Sequence, residues 1–323
     1  MNVDVINKGD FRFNVGAIYN YNRNKLDELP NADQYLYSSY WGSSSLVPTN
    51  DYMFVEGKAI GLVRGFISEG YYTVDDFNYT NGQYVLKEGV PDITKALTAT
   101  YMHPYDLPAG QTAFPGAAKF RDVDESGTVD LDDATCLGEV MPRHTGSFQL
   151  NFNYKNFDLS TNFNWTAGGK VYNVAAMINA SGQEFDGIGA QRASWVADAF
   201  KVYNVNAAGD LYAVTNPDEL RTLNANAKYH LPYHQSGITS SEWLENGSYL
   251  RLQTLTLGYT LPKNWLTKVH VDKIRLYLTA TNLFTITGYS GIDPEVNANP
   301  TGQSGFYSDC LLYTSDAADD MQC

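Results

Sequence analysis

An acidic run in the first half of the chain has the residue types and spacing of a metal site. Residues 122–133 read DVDESGTVDLDD and follow the spacing of an EF-hand calcium loop, with Gly127 where that loop turns sharply. The candidate ligands are five side chains and the carbonyl of Thr128: Asp122, Asp124, Ser126, Thr128, Asp130 and Asp133. Because carboxylates this close repel one another, a divalent cation would stabilise the loop. The pattern predicts structural calcium.

The last position of this loop departs from the usual pattern. Asp133 stands where glutamate is expected, and its shorter side chain weakens the case for bidentate coordination. The alternative is a solvated acidic turn that holds no metal. In either case the predicted role is to shape a loop, not to catalyse a reaction.

Residues suited to catalysis are scattered along the chain. His230 and His234 have a ligand spacing, but Pro232 would break the helix needed to align them. The three cysteines form neither a metal spacing nor a disulfide framework. Nucleophile-elbow and dinucleotide-loop motifs do not occur, and nothing selects a carboxylate pair for glycoside hydrolysis. The sequence therefore predicts a protein that is not an enzyme and requires no cofactor.

Aromatic residues cluster in the stretches between the patterned segments. Their faces can stack on sugars or pack against a partner protein, and the alternative is packing within the loops themselves. The candidates for facing substrate or partner are Tyr35, Tyr37, Tyr40, Trp41, Tyr71 and Tyr72.

Strict alternation of apolar and polar residues identifies the elements that position these groups. Residues 11–21 (FRFNVGAIYNY) place aromatic and aliphatic side chains on one face, interrupted only by Ile18. Residues 146–154 and 157–165 alternate in the same way and are joined by Lys155 and Asn156. So short a connection predicts an antiparallel hairpin.

A second pair of strands is longer. The segments 247–261 and 270–284 each contain a strand of nine or more residues. Ordinary strands have about 5–6 residues, whereas strands that cross a membrane need about 9–11. Long stretches between the strands, roughly 22–145 and 168–245, are predicted as loops, as in an outer-membrane barrel. In that topology 22–145 contains either no spanning strand or two, and residues 52–68 are one candidate.

Composition narrows the function classes. The 323 residues carry 22 Lys and Arg against 36 Asp and Glu, a net charge of −14 that disfavours nucleic-acid binding. No apolar run reaches the roughly 18 residues of a membrane-spanning helix. Aromatic residues make up 14% of the chain, which suits sheets. These patterns leave two readings open: a membrane barrel, or a soluble β-sandwich or propeller whose apolar face points into a core.

Five segments resemble the C-terminal barrel of the SusC/RagA family of TonB-dependent outer-membrane transporters. They are residues 10–29, 56–72, 120–165, 243–265 and 271–296, and their order and spacing match the family over 10–309. The most specific parts read NGSYLRLQTLTLGYTLP and RLYLTATNLFTITGYSGIDPE. The resemblance implies an all-β fold: a partial transmembrane antiparallel β-barrel, the C-terminal part of a large plugged barrel, with long extracellular loops.

The resemblance also implies a function and partners. Such transporters lie in the cell outer membrane, in contact with the lipid bilayer, and import glycans or peptides with a SusD-like surface lipoprotein as a lid. They are driven by TonB, which would act through an N-terminal region that this sequence lacks. The alternative is a soluble β-rich surface protein that binds carbohydrate or cleaves glycosides.

The end of the chain departs from the family pattern. Residues 310–320 (CLLYTSDAADD) resemble a translated sequencing adapter. The sequence therefore predicts one barrel portion over 1–309 and a non-native tail over 310–323.

Overall fold

The computed structural model describes residues 2–29, 34–38, 47–98, 103–173, 176–177, 193–231, 238–267 and 271–295. It divides into two compact units. The first is formed by Met1–Asn24, Val140–Val171 and Asn246–Glu295, and the second mainly by Lys25–Glu139 and Tyr172–Glu245.

Strands dominate the described chain. In order they are β1 (Asn2–Lys8), β2 (Phe11–Tyr21), β3 (Gln34–Tyr37), β4 (Tyr52–Val55), β5 (Leu62–Gly65), β6 (Ser68–Tyr71), β7 (Phe77–Thr80), β8 (Gln83–Leu86), β9 (Asp92–Ile93), β10 (Ala118–Phe120), β11 (Thr128–Val129), β12 (Thr135–Glu139), β13 (His144–Tyr154), β14 (Phe157–Ala167), β15 (Lys170–Tyr172), β16 (Tyr203–Val205), β17 (Leu211–Ala213), β18 (Leu244–Asn246), β19 (Tyr249–Thr260) and β20 (Arg275–Thr287).

Helices are few and short. They are α1 (Ala193–Asp198), α2 (Pro217–Leu223), α3 (Lys263–Leu266) and the 3-10 turns Val74–Asp76, Leu131–Asp133 and Ser241–Trp243. In α2 the Asn216 side chain accepts hydrogen bonds from the first turn, and Pro217 occupies the first position, where its missing N–H costs nothing. None of the described helices has the length and apolar character needed to cross a membrane.

The six long strands form one antiparallel sheet in the first unit. Their order is β1-β2-β13-β14-β19-β20. The predicted strand over 11–21 and the hairpin across Lys155 and Asn156 are confirmed, and β13 pairs with β14 in continuous register from His144–Ala167 to Tyr154–Phe157. Lys155 has a φ of 51°, and its N–H donates to the Asp10 carbonyl at 3.1 Å. Within the described residues β1 and β20 are the edges, so these strands form an open sheet.

The proposed spanning strand over 52–68 is wrong. That segment is broken into β4, β5 and the start of β6, and β4 pairs with β5 as a hairpin. Gly57 and Gly61, with φ of 78° and 87°, supply the left-handed backbone for the reversal. Because β2 pairs directly with β13, no described strand of 22–145 enters the long sheet, which agrees with the alternative of no spanning strand.

The stretches predicted as loops fold into the second unit with its own core. Its largest fully buried side chains include Phe66, Tyr72, Tyr84, Phe114 and Leu220. The Tyr84 hydroxyl donates to the Thr215 carbonyl at 2.9 Å, which joins residues 131 positions apart in sequence. The description as loops is therefore incomplete, because these segments bury apolar area against one another.

Candidate functional site

The two faces of the long sheet differ in chemistry. One face carries rows that are mostly apolar from strand to strand, although Thr161 interrupts the row of Val15 and Leu150. One row, which crosses all six strands, consists of Ile6, Phe13, Phe152, Leu159, Leu257 and Leu278. The rings of Phe13 and Phe152 stack with centroids 4.3 Å apart, and those of Phe148 and Phe163 at 4.5 Å.

This apolar face is not packed into a protein core in the described structure. Both clusters of buried apolar side chains consist of residues of the second unit. In the sheet, Leu257 is 46% exposed and Leu278 is 71% exposed. A continuous exposed apolar surface of this kind marks an interaction with another protein or a membrane.

The opposite face carries polar rows in the same register. The row next to the apolar one consists of Asp4, Asn14, Asn151, Ser160, Thr256 and Thr279. The Asn14 amide donates to Asp4 at 2.9 Å, Ser160 donates to Asn151 at 2.6 Å, and the hydroxyls of Thr256 and Thr279 lie 3.0 Å apart. These bonds tie neighbouring strands together and give this face a hydrophilic surface.

An ion pair bridges two strands that are not neighbours. Arg275 of β20 donates to both carboxylate oxygens of Asp158 of β14, at 3.0 and 2.5 Å. Gly258 of β19 lies between them, and a Cβ there would come within 2.5 Å of both side chains. The missing side chain of Gly258 is therefore what lets the pair form.

A second ionic cluster holds the segment that follows β20. Arg251 is 8% exposed and donates to Asp293 and Glu295, each at 2.5 Å, and to the Thr285 hydroxyl at 3.0 Å. The Tyr249 hydroxyl also donates to Glu295, at 2.5 Å. These residues come from the two segments that most specifically resemble the SusC/RagA family. Both segments are recognisable in the sequence, but their residue types do not indicate that they meet in the fold.

A β-bulge interrupts the sheet beside this cluster. Two successive sets of paired residues cross these strands: Asn162, Thr254 and Thr281, and then Phe163, Leu252 and Phe284. Between the two sets β14 has no extra residue, β19 has one (Gln253) and β20 has two (Asn282 and Leu283). The amides of Asn162 and Asn164 both donate to Gln253 Oε1, at 2.9 and 2.8 Å, so Gln253 lies on the polar face. The sequence carries one signal of the bulge, because Gln253 and Thr254 are consecutive polar residues that break the alternation of β19. The pattern does not indicate that the amides of Asn162 and Asn164 meet there.

Aromatic residues concentrate at both ends of the sheet. At one end the Tyr19 hydroxyl lies 2.8 Å from His144 Nδ1, and the Tyr19 and Trp165 rings stack at 6.1 Å. At the other end the rings of Phe157 and Tyr259 lie 4.6 Å apart. Two aromatic bands that flank an apolar zone are typical of membrane-spanning sheets.

The acidic loop brings three of its predicted ligands together. Carboxylate oxygens of Asp122, Asp124 and Asp133 lie within 4.8 Å of one another. Asp133 is fully buried and accepts the N–H groups of Val123 at 2.5 Å, Asp124 at 3.3 Å and Asp130 at 2.8 Å. The N–H and hydroxyl of Ser126 hold the pKa of the exposed Asp124 carboxyl below its usual value.

The other three predicted ligands make contacts within the loop. The Ser126 hydroxyl donates to the Thr128 carbonyl at 3.0 Å, which occupies two of the candidate oxygens. Asp130 caps the turn Leu131–Asp133 by accepting the Asp132 N–H at 2.8 Å. The loop is thus held by its own hydrogen bonds around a convergent carboxylate trio.

The aromatic candidates divide by burial. Tyr35 and Tyr37 are exposed on β3 and pack beside Phe54. Tyr71 is half-buried against the Phe200 ring, and its hydroxyl donates to the Ala227 carbonyl.

Of the aromatic residues predicted to face a substrate or partner, one is assigned wrongly and two lie outside the described residues. Tyr72 cannot face a substrate or partner, because it is fully buried and donates to the Pro91 carbonyl at 2.7 Å. Its aromatic ring supplies core area and its hydroxyl finds an internal acceptor. Tyr40 and Trp41 lie outside the described residues, as does the tail over 310–323.

Comparison with known proteins places these features in context. No protein-family model matches the chain. It is 27% identical over 292 residues to TonB-dependent receptor P3 of Formosa agariphila, covering 90% of the chain and 24% of that protein. It is 27% identical over 214 residues to TonB-dependent receptor SusC of Bacteroides thetaiotaomicron, covering 62% of the chain and 17% of that protein.

Solved structures show the same fold. The RagAB peptide transporter matches with a TM-score of 0.57 and 20% identity, over 91% of this chain and 26% of that one. The RagAB peptide importer in its closed-closed state matches with a TM-score of 0.58 and 19% identity, over 92% and 26%.

The chain is mostly β and contains a sheet of long strands with one apolar and one polar face. It is homologous to the TonB-dependent receptors, which are outer-membrane transport proteins and not enzymes. Within that class its homology lies with the SusC/RagA family and covers most of the chain. The chain spans about a quarter of the length of receptor P3 and of the matched RagAB chains, and 17% of SusC.

Proposed function

We propose that the chain forms part of the barrel wall and of the outward-facing region of a SusC-like, TonB-dependent importer in the cell outer membrane. The observation that carries this proposal is the pairing of an exposed apolar face with a hydrogen-bonded polar face across six long strands. In a barrel the first face contacts lipid and the second lines the lumen.

The dimensions of the strands support this assignment. β13 and β14 have 11 residues each, and the steps from the first to the last residue extend about 33 Å at roughly 3.3 Å per step. At a tilt of about 40°, that length corresponds to about 25 Å of membrane thickness, the height of the apolar band of outer-membrane barrels. The aromatic bands at both ends of the sheet would then lie at the two membrane surfaces.

The proposed cargo is an oligosaccharide or a peptide, taken up with a SusD-like lipoprotein as partner. SusC is among the relatives, and the structures that match in fold are of the RagAB peptide transporter. The second unit, which folds from the segments between the long strands, would supply the docking surface for that lipoprotein. TonB would supply the energy for uptake.

Photocrosslinking at two adjacent positions of one strand tests the proposal. A benzophenone side chain is placed at Leu257, on the apolar face, or at Thr256, on the polar face, of the receptor that contains the chain, in bacterial outer membranes. We expect lipid adducts at Leu257 and not at Thr256, because only the apolar face contacts acyl chains. Protein adducts at Leu257, or recovery of the receptor in the soluble fraction, would contradict the proposal.

The same experiment separates the alternative function. A soluble carbohydrate-binding protein or glycoside hydrolase would bury the apolar rows under a second layer of protein. Neither position would then yield lipid adducts, and the protein would remain soluble without detergent.

We further propose that the acidic loop binds calcium and thereby stabilises the second unit. The convergence of Asp122, Asp124 and Asp133 supports this, since calcium prefers carboxylate oxygens. Calorimetry of the chain should show weak binding, with a Kd of about 10⁻⁴–10⁻³ M, as in other extracellular sites. Asp124→Asn should weaken binding, whereas the exposed Glu88→Gln should not. Absence of calcium-dependent heat would refute the proposal.

A further inference from the structure

The bulge at Gln253 redirects the polar face of the sheet. On β19, Arg251 and Gln253 precede the bulge on the polar side, and Thr254 and Thr256 follow it on the same side, because the added residue shifts the alternation by one. Two polar side chains therefore follow one another at Gln253 and Thr254. Bulges occur beside functional sites because they aim a side chain away from the regular pleat.

The amides at the bulge are only partly paired. Gln253 Oε1 accepts from Asn162 Nδ2 and Asn164 Nδ2, but among the described residues Gln253 Nε2 donates to none and Asn164 Oδ1 accepts from none. Asn162 Oδ1 is enclosed without a hydrogen-bond partner in the described structure. Since Gln253 is exposed, the unused donor remains accessible from the polar face.

The geometry of these unused groups selects a ligand chemistry. Nε2 and Oδ1 belong to the same two amide groups that share the 2.8 Å hydrogen bond from Asn164 Nδ2 to Gln253 Oε1, so the unused donor and acceptor lie close to that bond. A hydroxyl both accepts and donates through one atom, so it can bridge this donor and this acceptor. A peptide needs two separate groups, a carbonyl and an N–H, to do the same.

The electrostatics around the cluster favour a neutral ligand. The three amides carry no charge, and the neighbouring Arg251 is already paired with Asp293 and Glu295 at 2.5 Å. The adjacent row of the polar face offers hydroxyls and amides at Thr256, Ser160 and Asn151. A chain of neutral hydroxyls suits such a surface better than a charged solute does.

We propose that Gln253 and Asn164 form a hydrogen-bonding site for a saccharide hydroxyl on the polar face of the sheet. This proposal rests on the proposed function, in which that face lines the lumen. It assigns a contact for neutral oligosaccharide to the bulge, and it makes Gln253 Nε2 the donor and Asn164 Oδ1 the acceptor.

Protection of a nearby cysteine from modification tests this site. In the receptor that contains the chain, in outer membranes, Thr254→Cys is introduced in a background in which the three cysteines of the chain are replaced by serine. The rate of reaction with a membrane-impermeant thiol reagent is measured. We expect maltoheptaose to slow the reaction several-fold and pentaglycine to leave it unchanged. Adding Gln253→Leu should abolish the protection, measured as the ratio of the rates with and without sugar, whereas Ser160→Ala, one row away, should retain it.

Other results would refute the site, the ligand class or the proposed function. No protection by maltoheptaose, or equal protection in Gln253→Leu, would refute the site. Protection by pentaglycine alone would refute the ligand class. If Thr254→Cys does not react while Leu255→Cys does, the polar face does not line an aqueous path, and the proposed function itself fails.

Discussion

At the scale of single residues, a buried acid and base in the second unit stand out. His230 is 2% exposed, and its Nδ1 lies 2.9 Å from the Leu231 carbonyl, which can only accept, so Nδ1 carries the proton. His230 Nε2 then faces the Glu242 carboxyl at 3.8 Å. Burial lowers the pKa of His230 to about 4 and raises the pKa of Glu242 to about 7. Both shifts favour an uncharged pair.

Stability of the second unit should therefore depend on pH in a defined direction. The pKa of Glu242 is about 7 when folded and 4.5 in its ordinary state, so its contribution is lost as pH rises from 4.5 through 7, up to about 3 kcal/mol. The pKa of His230 falls from 6.5 to about 4, so its contribution is lost as pH falls through that range. The two losses are symmetric, so thermal unfolding of the chain in detergent should show a shallow maximum of stability at about pH 5.5.

Glu242→Gln isolates the acidic partner. It should remove the loss of stability between about pH 5.5 and 7, because glutamine stays neutral. The exposed Glu88→Gln is the matched control and should keep the wild-type profile. A variant that still loses stability over this range would show that another group is responsible.

Single residues also mark the limit of sequence reasoning. The spacing of His230 and His234 is that of a pair of metal ligands. In the structure, His230 is buried among aromatic residues beside Trp195. His234 lies outside the described residues. Spacing cannot report burial, and burial is what sets the protonation of His230.

At the scale of elements, the long strands were predictable because alternation is a local property. Residues 11–21 reproduce the bounds of β2, and the hairpin follows from two alternating runs separated by two residues. The end of the last strand was less clear, since β20 extends to Thr287. The second unit was not predictable in this way, because its strands have two to five residues and its core joins distant segments such as Tyr84 and Thr215.

The cross-strand pair over Gly258 gives a test at this scale. Gly258→Val should displace Arg275 from Asp158, because a Cβ would lie 2.5 Å from both side chains. In the wild-type background, a double-mutant cycle of Asp158→Asn and Arg275→Gln should give a coupling of about 0.2–1 kcal/mol, as is usual for partly exposed pairs. In the Gly258→Val background it should vanish. Gly288→Ala, where an added Cβ meets nothing within 4 Å, should leave the coupling intact in urea unfolding.

At the scale of the whole molecule, the two units of the chain differ in where they place their apolar side chains. The second unit buries its aromatic residues in a core, whereas the sheet leaves its apolar rows outside both buried clusters of the described structure. An exposed apolar surface of this extent costs free energy in water and stabilises a protein in lipid. The apolar face of the sheet is therefore stable only where lipid or another apolar surface covers it, whereas the second unit has its own core.

Charge placed at the centre of the sheet distinguishes its two faces. Leu150 lies midway along β13, on the apolar face between Val15 and Thr161, and Gln149 beside it is exposed on the polar face. Leu150→Arg should cost about 2–4 kcal/mol, because the guanidinium would enter hydrocarbon near the midplane, whereas Gln149→Arg should cost little in a hydrated lumen. The folded fraction of the receptor that contains the chain, read from heat-modifiable mobility in outer membranes, measures the difference. Equal losses for the two variants would mean that both faces meet the same medium, which no membrane-spanning sheet allows.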